Sequence, residues 1–198
     1  CLHKACGAEV PLNDDRFFRD IQKVHSEYQG GHGSGVDIAA SLRGGVQAFY
    51  PPHVTDTLSW GRDLRLLAVY TGQSASTAAW LKVIDGAYQG EDPKIRSHIQ
   101  HMGELAHKSI PLFNGKSTQP LFDSLRAYHH AMEKLGTLAD LPLVTPAHQV
   151  LARALEARGG IYKVSGAGGG DMGVYLSADD DLRQRAVDIV TKLGFKSM

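Results

Sequence analysis

The apolar positions along the chain change their period several times, and each change marks a boundary. Over residues 13–29, Phe17, Ile21, Val24 and Tyr28 recur every three or four positions, which predicts an amphipathic helix capped by Asn13, with Asp14 and Asp15 favoured by its N-terminal dipole. The run Gly30-Gly31-His32-Gly33-Ser34-Gly35 breaks that pattern. A short helix over 36–42 and a strand over 46–50 follow, and Pro51 and Pro52 stop the strand. Residues 64–70 are too apolar for a half-exposed strand and too few for most buried helices, so they predict a central strand.

Helical spacing then dominates, with helices expected over 76–89, 93–110, 120–135 and 146–157. The last three carry Pro in the first turn, where its missing N–H costs nothing. Ile95, Ile99, Met102, Ala106 and Ile110 illustrate the stripe. After Gly159 and Gly160 the period falls to two. Strands over 161–164 and 171–176 flank a loop over 165–170, a hairpin with an unusually glycine-rich tip. Ser177-Ala178-Asp179-Asp180 resembles a capping box ahead of a helix through Leu182, Ala186, Ile189, Val190 and Leu193, closed by Gly194 and followed by strand-like Phe195-Lys196. This order predicts an α+β fold, an antiparallel sheet with helices on one face.

Composition narrows the function classes. The 198 residues, 42% of them hydrophobic, suffice for one large or two small ordered domains. Lys plus Arg and Asp plus Glu both number 21, so there is no basic field to draw the chain to nucleic acid or to an anionic membrane, and an anionic ligand must be held locally. Cys1 and Cys6 fit neither a disulfide framework nor a zinc site, which points to a reducing, cytoplasmic setting. No apolar run approaches the roughly 20 residues that span a bilayer, and no charged-then-apolar leader opens the chain. Residues 1–7 read as the end of a helix closed by Gly7, an expectation that the natural protein begins upstream.

Three loops carry candidate chemistry. In Ser165-Gly166-Ala167-Gly168-Gly169-Gly170-Asp171, four glycines in five positions let backbone N–H groups turn inward as an anion-binding concavity and remove side chains that would block a phosphate. The loop leads into a strand and no Lys follows it, so it is neither a Rossmann fingerprint nor a Walker loop. The loop ending at Gly35 delivers Asp37 to the first turn of a helix, where a carboxylate is well placed to accept or orient the proton of an attacking hydroxyl, or simply to favour the dipole. Thr71-Gly72-Gln73-Ser74-Ala75-Ser76-Thr77 offers more hydroxyls than a helix cap needs. The ten histidines lack Cys partners or an HExxH arrangement; His98, His101, His107, His129 and His130 read as solvated helix positions, and no metal ligand is assigned. Arg43, Lys82 and Lys163 lie near the loops in sequence and are candidates to face a phosphate, though surface charge is the default for each.

Taken in this order, the loops resemble the GHMP kinases. Gly33-Ser34-Gly35-Val36-Asp37-Ile38-Ala39-Ala40 is similar to the segment carrying the family's catalytic Asp, and 165–171 is similar to its third motif, a glycine loop beside the nucleotide phosphates. The wording of these segments and of the 71–77 loop is most similar to the phosphomevalonate kinase branch; mevalonate kinases more often place Asn where this chain has Ile38. The resemblance implies a ferredoxin-like C-terminal domain over 61–198, preceded over 1–60 by the tail of an N-terminal domain. It implies ATP and Mg²⁺ as cofactors, a small anionic acceptor in isoprenoid precursor synthesis, and Asp37 as catalytic residue. Ser34, Gly35, Ser74, Ser76, Thr77, Ser165, Gly166, Ala167, Gly168, Gly169, Gly170 and Asp171 are then the substrate- and phosphate-binding positions. A homodimer is compatible with it. The family's first motif is absent, and so is its second, a Pro-x-x-x-Gly-Leu-Gly-Ser-Ser-Ala loop that wraps the ATP phosphates. The expectation is therefore that the chain needs an N-terminal segment and alone is a poor kinase. Another GHMP kinase acting on mevalonate or a sugar, or a non-catalytic anion-binding domain, stays open beside the first reading.

Overall fold

The computed structural model describes residues 15–28, 35–50, 53–61, 63–73, 78–90 and 92–198. The chain divides into two compact units, Cys1–Trp60 and Gly61–Met198.

In the first unit, α1 (Asp15–Tyr28) and α2 (Val36–Arg43) precede an antiparallel hairpin of β1 (Val46–Tyr50) and β2 (His53–Leu58), in which Val46 pairs with Leu58 and Tyr50 with His53. Phe18, Ile38 and Ala39 form its buried centre, with Ile21, Leu42 and Phe49 packed around them. The Phe18 and Phe49 rings meet edge-on at 6.3 Å, a favoured aromatic geometry. Two expectations change here. Val24 and Tyr28 are exposed at 67% and 90%, so α1 buries Phe18 where the stripe pointed to its far end. Strand β2 was not predicted, because His53-Val54-Thr55-Asp56-Thr57-Leu58 has too few apolar residues to read as a strand and owes its conformation to pairing with β1. Asn13, Asp14 and the helix end expected at residues 1–7 lie outside the described residues.

The second unit contains β3 (Arg65–Tyr70), α3 (Ala78–Tyr88), α4 (Pro93–Ser109), a 3₁₀ turn (Ile110–Asn114), α5 (Gln119–Ala139), α6 (Pro146–Glu156), β4 (Ile161–Val164), β5 (Met172–Ser177), α7 (Asp180–Lys192) and the two-residue β6 (Lys196–Ser197). Its sheet runs β4-β5-β3-β6 with every neighbour antiparallel, the strand order of a ferredoxin-like α+β fold. Register places Leu67 opposite Tyr175 and Tyr175 opposite Tyr162. These side chains and Val69 form the main core with Leu151 and Leu155 of α6 and Ala186 and Val190 of α7. Each large apolar side chain so buried contributes about 1.5–3 kcal/mol. Leu121 and Phe122 of α5 build a second cluster with Leu64, Ile161 and Leu176.

Beyond its strand pairs, β3 makes three further hydrogen bonds along the β6 side, one of them from Ala68 N–H to the Met198 carbonyl at 3.3 Å. Met198 N–H donates to the Ala68 carbonyl at 2.9 Å, and Arg183 Nε donates to the Leu66 carbonyl at 3.0 Å.

Helix ends differ from expectation for local reasons. Helix α5 runs on through Gly136 to Ala139, because Gly136 is where the helix meets the returning chain: a Cβ there would sit 2.7 Å from the Leu141 carbonyl. The helix stops instead at Asp140, in the left-handed conformation with φ 52. The cap of α7 is Asp179, whose carboxylate accepts the Leu182 N–H at 2.7 Å; Ser177 stays buried at the end of β5 and donates to the Asp179 carbonyl. Asp92 caps α4 and Thr145 caps α6, each ahead of a first-turn Pro.

Candidate functional site

The glycine-rich tip of the β4–β5 hairpin is shaped by close approaches from below. Gly166, Gly168, Gly169, Gly170 and Asp171 all have positive φ, between 59 and 120. A Cβ on Gly168 would fall 2.2 Å from the Leu143 carbonyl, one on Gly169 2.1 Å from the Trp80 indole, and one on Gly170 2.9 Å from the Gln73 carbonyl. Glycine is required at these three positions by contact as well as by conformation. Gly169 N–H donates to Leu143 O at 2.8 Å, and Asp171 N–H donates to Gln73 O. Among the described residues the N–H groups of Gly166, Ala167, Gly168 and Gly170 have no acceptor. Ser165 N–H donates to Met172 O at 2.9 Å, so of the seven amides over 165–171 three are spent on holding the loop and four are unclaimed among the described residues, those of Gly166 and Ala167 at exposed positions and those of Gly168 and Gly170 at buried ones.

The segment after β3 meets the same loop. Thr71 N–H and Oγ1 both donate to the Asp171 carbonyl, at 2.8 and 3.0 Å. The glycine loop and the base of the hydroxyl loop are thereby brought together through Thr71, Gln73 and Asp171. Ser74, Ser76 and Thr77 lie outside the described residues, as does Ser34.

Asp37 stands in the first turn of α2, within the other unit. Gly35 precedes the helix with φ 77 and packs so closely that an added Cβ would meet the Gln22 amide at 2.7 Å. Its carbonyl accepts the Ala39 N–H at 2.9 Å, starting the helix. The Asp37 carboxylate is 59% exposed, accepts the Ile38 N–H at 3.0 Å and lies 3.3 Å from His25 Nε2. A carboxylate held in this way is open to solvent on one side and can accept a hydrogen bond from an approaching ligand.

Several basic side chains fall differently from expectation. Lys163 Nζ donates to the Val164 carbonyl at 2.6 Å and sits 5.9 Å from the centre of the Tyr128 ring, and burial pulls its pKa down. It is committed toward α5. His98 and His129 are buried, contrary to a solvated reading: His98 Nε2–H donates to the Ala131 carbonyl at 2.8 Å, and His129 Nδ1 accepts the Val164 N–H at 3.4 Å. His101, His107 and His130 are exposed. Among the described residues no group of three His, Cys, Asp or Glu is placed to hold a metal. None of the helices described there is long and apolar enough to cross a membrane.

Sequence reasoning missed His148. It is fully buried in the first turn of α6, with Nε2 3.0 Å from the Gly170 carbonyl and Nδ1 2.8 Å from the Tyr162 hydroxyl. Burial pulls its pKa down, so the ring is held neutral. A neutral ring that faces a carbonyl at Nε2 carries its proton there, and Nδ1 accepts from Tyr162. Beside the loop, Trp80, Met102, Tyr128, Met132, Gly166 and Ala167 contribute to a largely apolar cavity of about 340 Å³.

No family model matches the chain. Over 195 residues it is 26% identical to the phosphomevalonate kinase of Streptomyces sp. strain CL190, an alignment covering 86% of this chain and 51% of that enzyme. Among solved structures, the Lin0012 protein from Listeria innocua superposes with a TM-score of 0.80 at 25% identity, covering 96% of this chain and 59% of the other. The phosphomevalonate kinase of Streptococcus pneumoniae superposes with a TM-score of 0.72 at 18% identity, covering 100% of this chain and 64% of the other. The chain spans about half the length of the curated relative it matches. Its fold is that of the GHMP kinases, and its sequence is similar to that of a phosphomevalonate kinase.

Proposed function

We propose that the chain is the greater part of an ATP-dependent kinase that transfers the γ-phosphoryl group to phosphomevalonate, with 1–60 as the tail of the N-terminal domain and 61–198 as the C-terminal domain. The observation that carries this reading is the glycine loop, in which four N–H groups are unclaimed among the described residues and successive residues have positive φ. Such a loop fits the phosphates of a nucleotide. Bound ATP would supply the phosphoryl group, and the 165–171 loop would hold its phosphates. Mg²⁺ would accompany the nucleotide, and no residue is assigned as its ligand.

The chemistry assigned to Asp37 depends on the acceptor. A phosphate monoester has a second pKa of about 6 and is already nucleophilic at neutral pH, so with phosphomevalonate Asp37 orients the acceptor and balances positive charge. With a hydroxyl acceptor it takes the proton. His25, 3.3 Å away, steadies the carboxylate in either case. The absence of the family's second phosphate-wrapping motif from these 198 residues favours a second reading, a domain that binds anions without turnover. On the first reading that motif must be supplied for full activity.

The test compares ATP consumption by the protein carrying an N-terminal segment with that motif, by this chain alone, and by the longer protein with Asp37→Ala. Phosphomevalonate, mevalonate and sugars are offered in turn. Turnover of phosphomevalonate by the longer protein alone is expected, with kcat lowered about 100-fold or more by Asp37→Ala. Turnover of mevalonate or a sugar instead would reassign the acceptor. No turnover with any acceptor would favour the binding domain.

A further inference from the structure

Two peptide planes of the glycine loop are pinned, and the plane between them presents an unclaimed donor. The 168–169 plane is fixed because Gly169 N–H binds Leu143 O. The 170–171 plane is fixed at both ends, with Asp171 N–H on Gln73 O and the Gly170 carbonyl on His148 Nε2. The intervening plane carries the Gly170 N–H, and its orientation follows from its two neighbours, since a peptide is planar and only φ and ψ connect it to them.

We propose that His148 is a positioning residue for phosphate binding by the glycine loop: its Nε2–H holds the Gly170 carbonyl in the core and so fixes the peptide plane on which the loop closes. This rests on the reading of 165–171 as a phosphate site. Tyr162 completes the device. Its hydroxyl donates to His148 Nδ1, which keeps the proton on Nε2 and stops the ring from turning. Tyr162 reaches that position by lying across Gly173, where an added Cβ would come within 1.9 Å of its oxygen. The ring, the hydroxyl and the carbonyl form one dry chain with every polar atom matched, the condition under which a buried network imposes a single geometry. A residue serving only the core would satisfy its nitrogens on any carbonyl; this one spends its donor on the segment whose amides are to bind the ligand.

The variants follow from side-chain reach. His148→Gln brings an amide N–H to the place of Nε2, whereas His148→Asn reaches only the place of Nδ1. Each is prepared in the whole chain, titrated with inorganic phosphate, and followed by amide NMR and hydrogen exchange. For His148→Asn, phosphate binding is expected to weaken about tenfold and exchange at the 168–171 amides to rise about tenfold, while the Leu67 and Val69 amides stay within about twofold. His148→Gln is expected to restore both. Tyr162→Phe, which keeps the ring but frees its tautomer, should fall between them, and it replaces His148→Asn in the comparison if that variant fails to fold. Loop exchange and phosphate affinity unchanged in His148→Asn would overturn the proposal, as would protection lost evenly from loop and sheet. A wild-type chain that binds no phosphate would instead sink the phosphate-site reading, leaving the exchange data to decide whether His148 orders the loop.

Discussion

The hydrogen in place of a side chain at position 173 lets Tyr162 cross β5 and reach His148. Any methyl there meets the phenol oxygen at 1.9 Å and the ring carbon bearing it at 2.3 Å, within a core that has no room to move either. Gly173→Ala is therefore expected to destabilise the chain by about 1–3 kcal/mol or more through overpacking. Gly194→Ala is the informative control: φ there is +82 but nothing lies within 4 Å, so the change costs only backbone strain, about 1 kcal/mol. Urea unfolding of the two variants measures the difference, and equal losses would show that the Tyr162 contact is not what position 173 protects. At this scale the sequence was partly legible. Clustered glycines announce a loop that must keep side chains out, so 165–171 could be read directly. His148 could not, because its partners lie 14 and 22 residues away and no spacing rule links an imidazole to a tyrosine on a strand and a carbonyl in a loop.

Helices and strands follow periodicity where apolar faces are unbroken, and depart from it where one contact decides. Strands β3, β4 and β5 lie, within a residue, where alternating or continuous apolar runs predicted them, whereas β6 is the polar pair Lys196–Ser197, one residue beyond the Phe195-Lys196 expected. Strand β2 escaped notice, since it is largely polar and exists by pairing. Helix α5 passes through a glycine that usually ends helices, because the returning chain at Leu141 excludes any larger residue there. Helices α5 and α6 also carry the titrations that should dominate mild acidification. Burial lowers the pKa of His129 and of His148, so both bind a proton more readily in the unfolded chain. Around His129, Glu133 and Glu156 oppose that shift while His130 and Lys163 add to it; around His148 only the Gly170 carbonyl opposes it. Stability from these groups is fully present above the unfolded pKa of about 6.5 and is lost as pH falls from there toward the folded values. The urea midpoint is expected to drop between pH 7.5 and 5.5, and to drop less in His148→Gln. A midpoint that does not change over that interval would show that neither ring is held neutral.

On the scale of the whole molecule, the strand order of the larger unit and its likeness to solved kinases of this fold bear out the fold anticipated from three short loops. What the sequence did not reveal is how the larger sheet ends. The side of β3 away from β5 is covered by three separate pieces: a two-residue strand opposite Val69 and Tyr70, the Met198 amide on Ala68, and the Arg183 guanidinium on the Leu66 carbonyl. Together they leave no continuous row of backbone groups on which a strand from another molecule could add. Removing residues 196–198 together with Arg183→Ala would uncover that row beside Leu66, whose side chain is already 43% exposed. The altered chain is then expected to self-associate edge to edge as concentration rises, visible by light scattering, while the intact chain does not. Equal scattering from both would mean that the border of the sheet is protected by something other than these three contacts. On this prediction residues 196–198 shield the border of the sheet rather than fill the core.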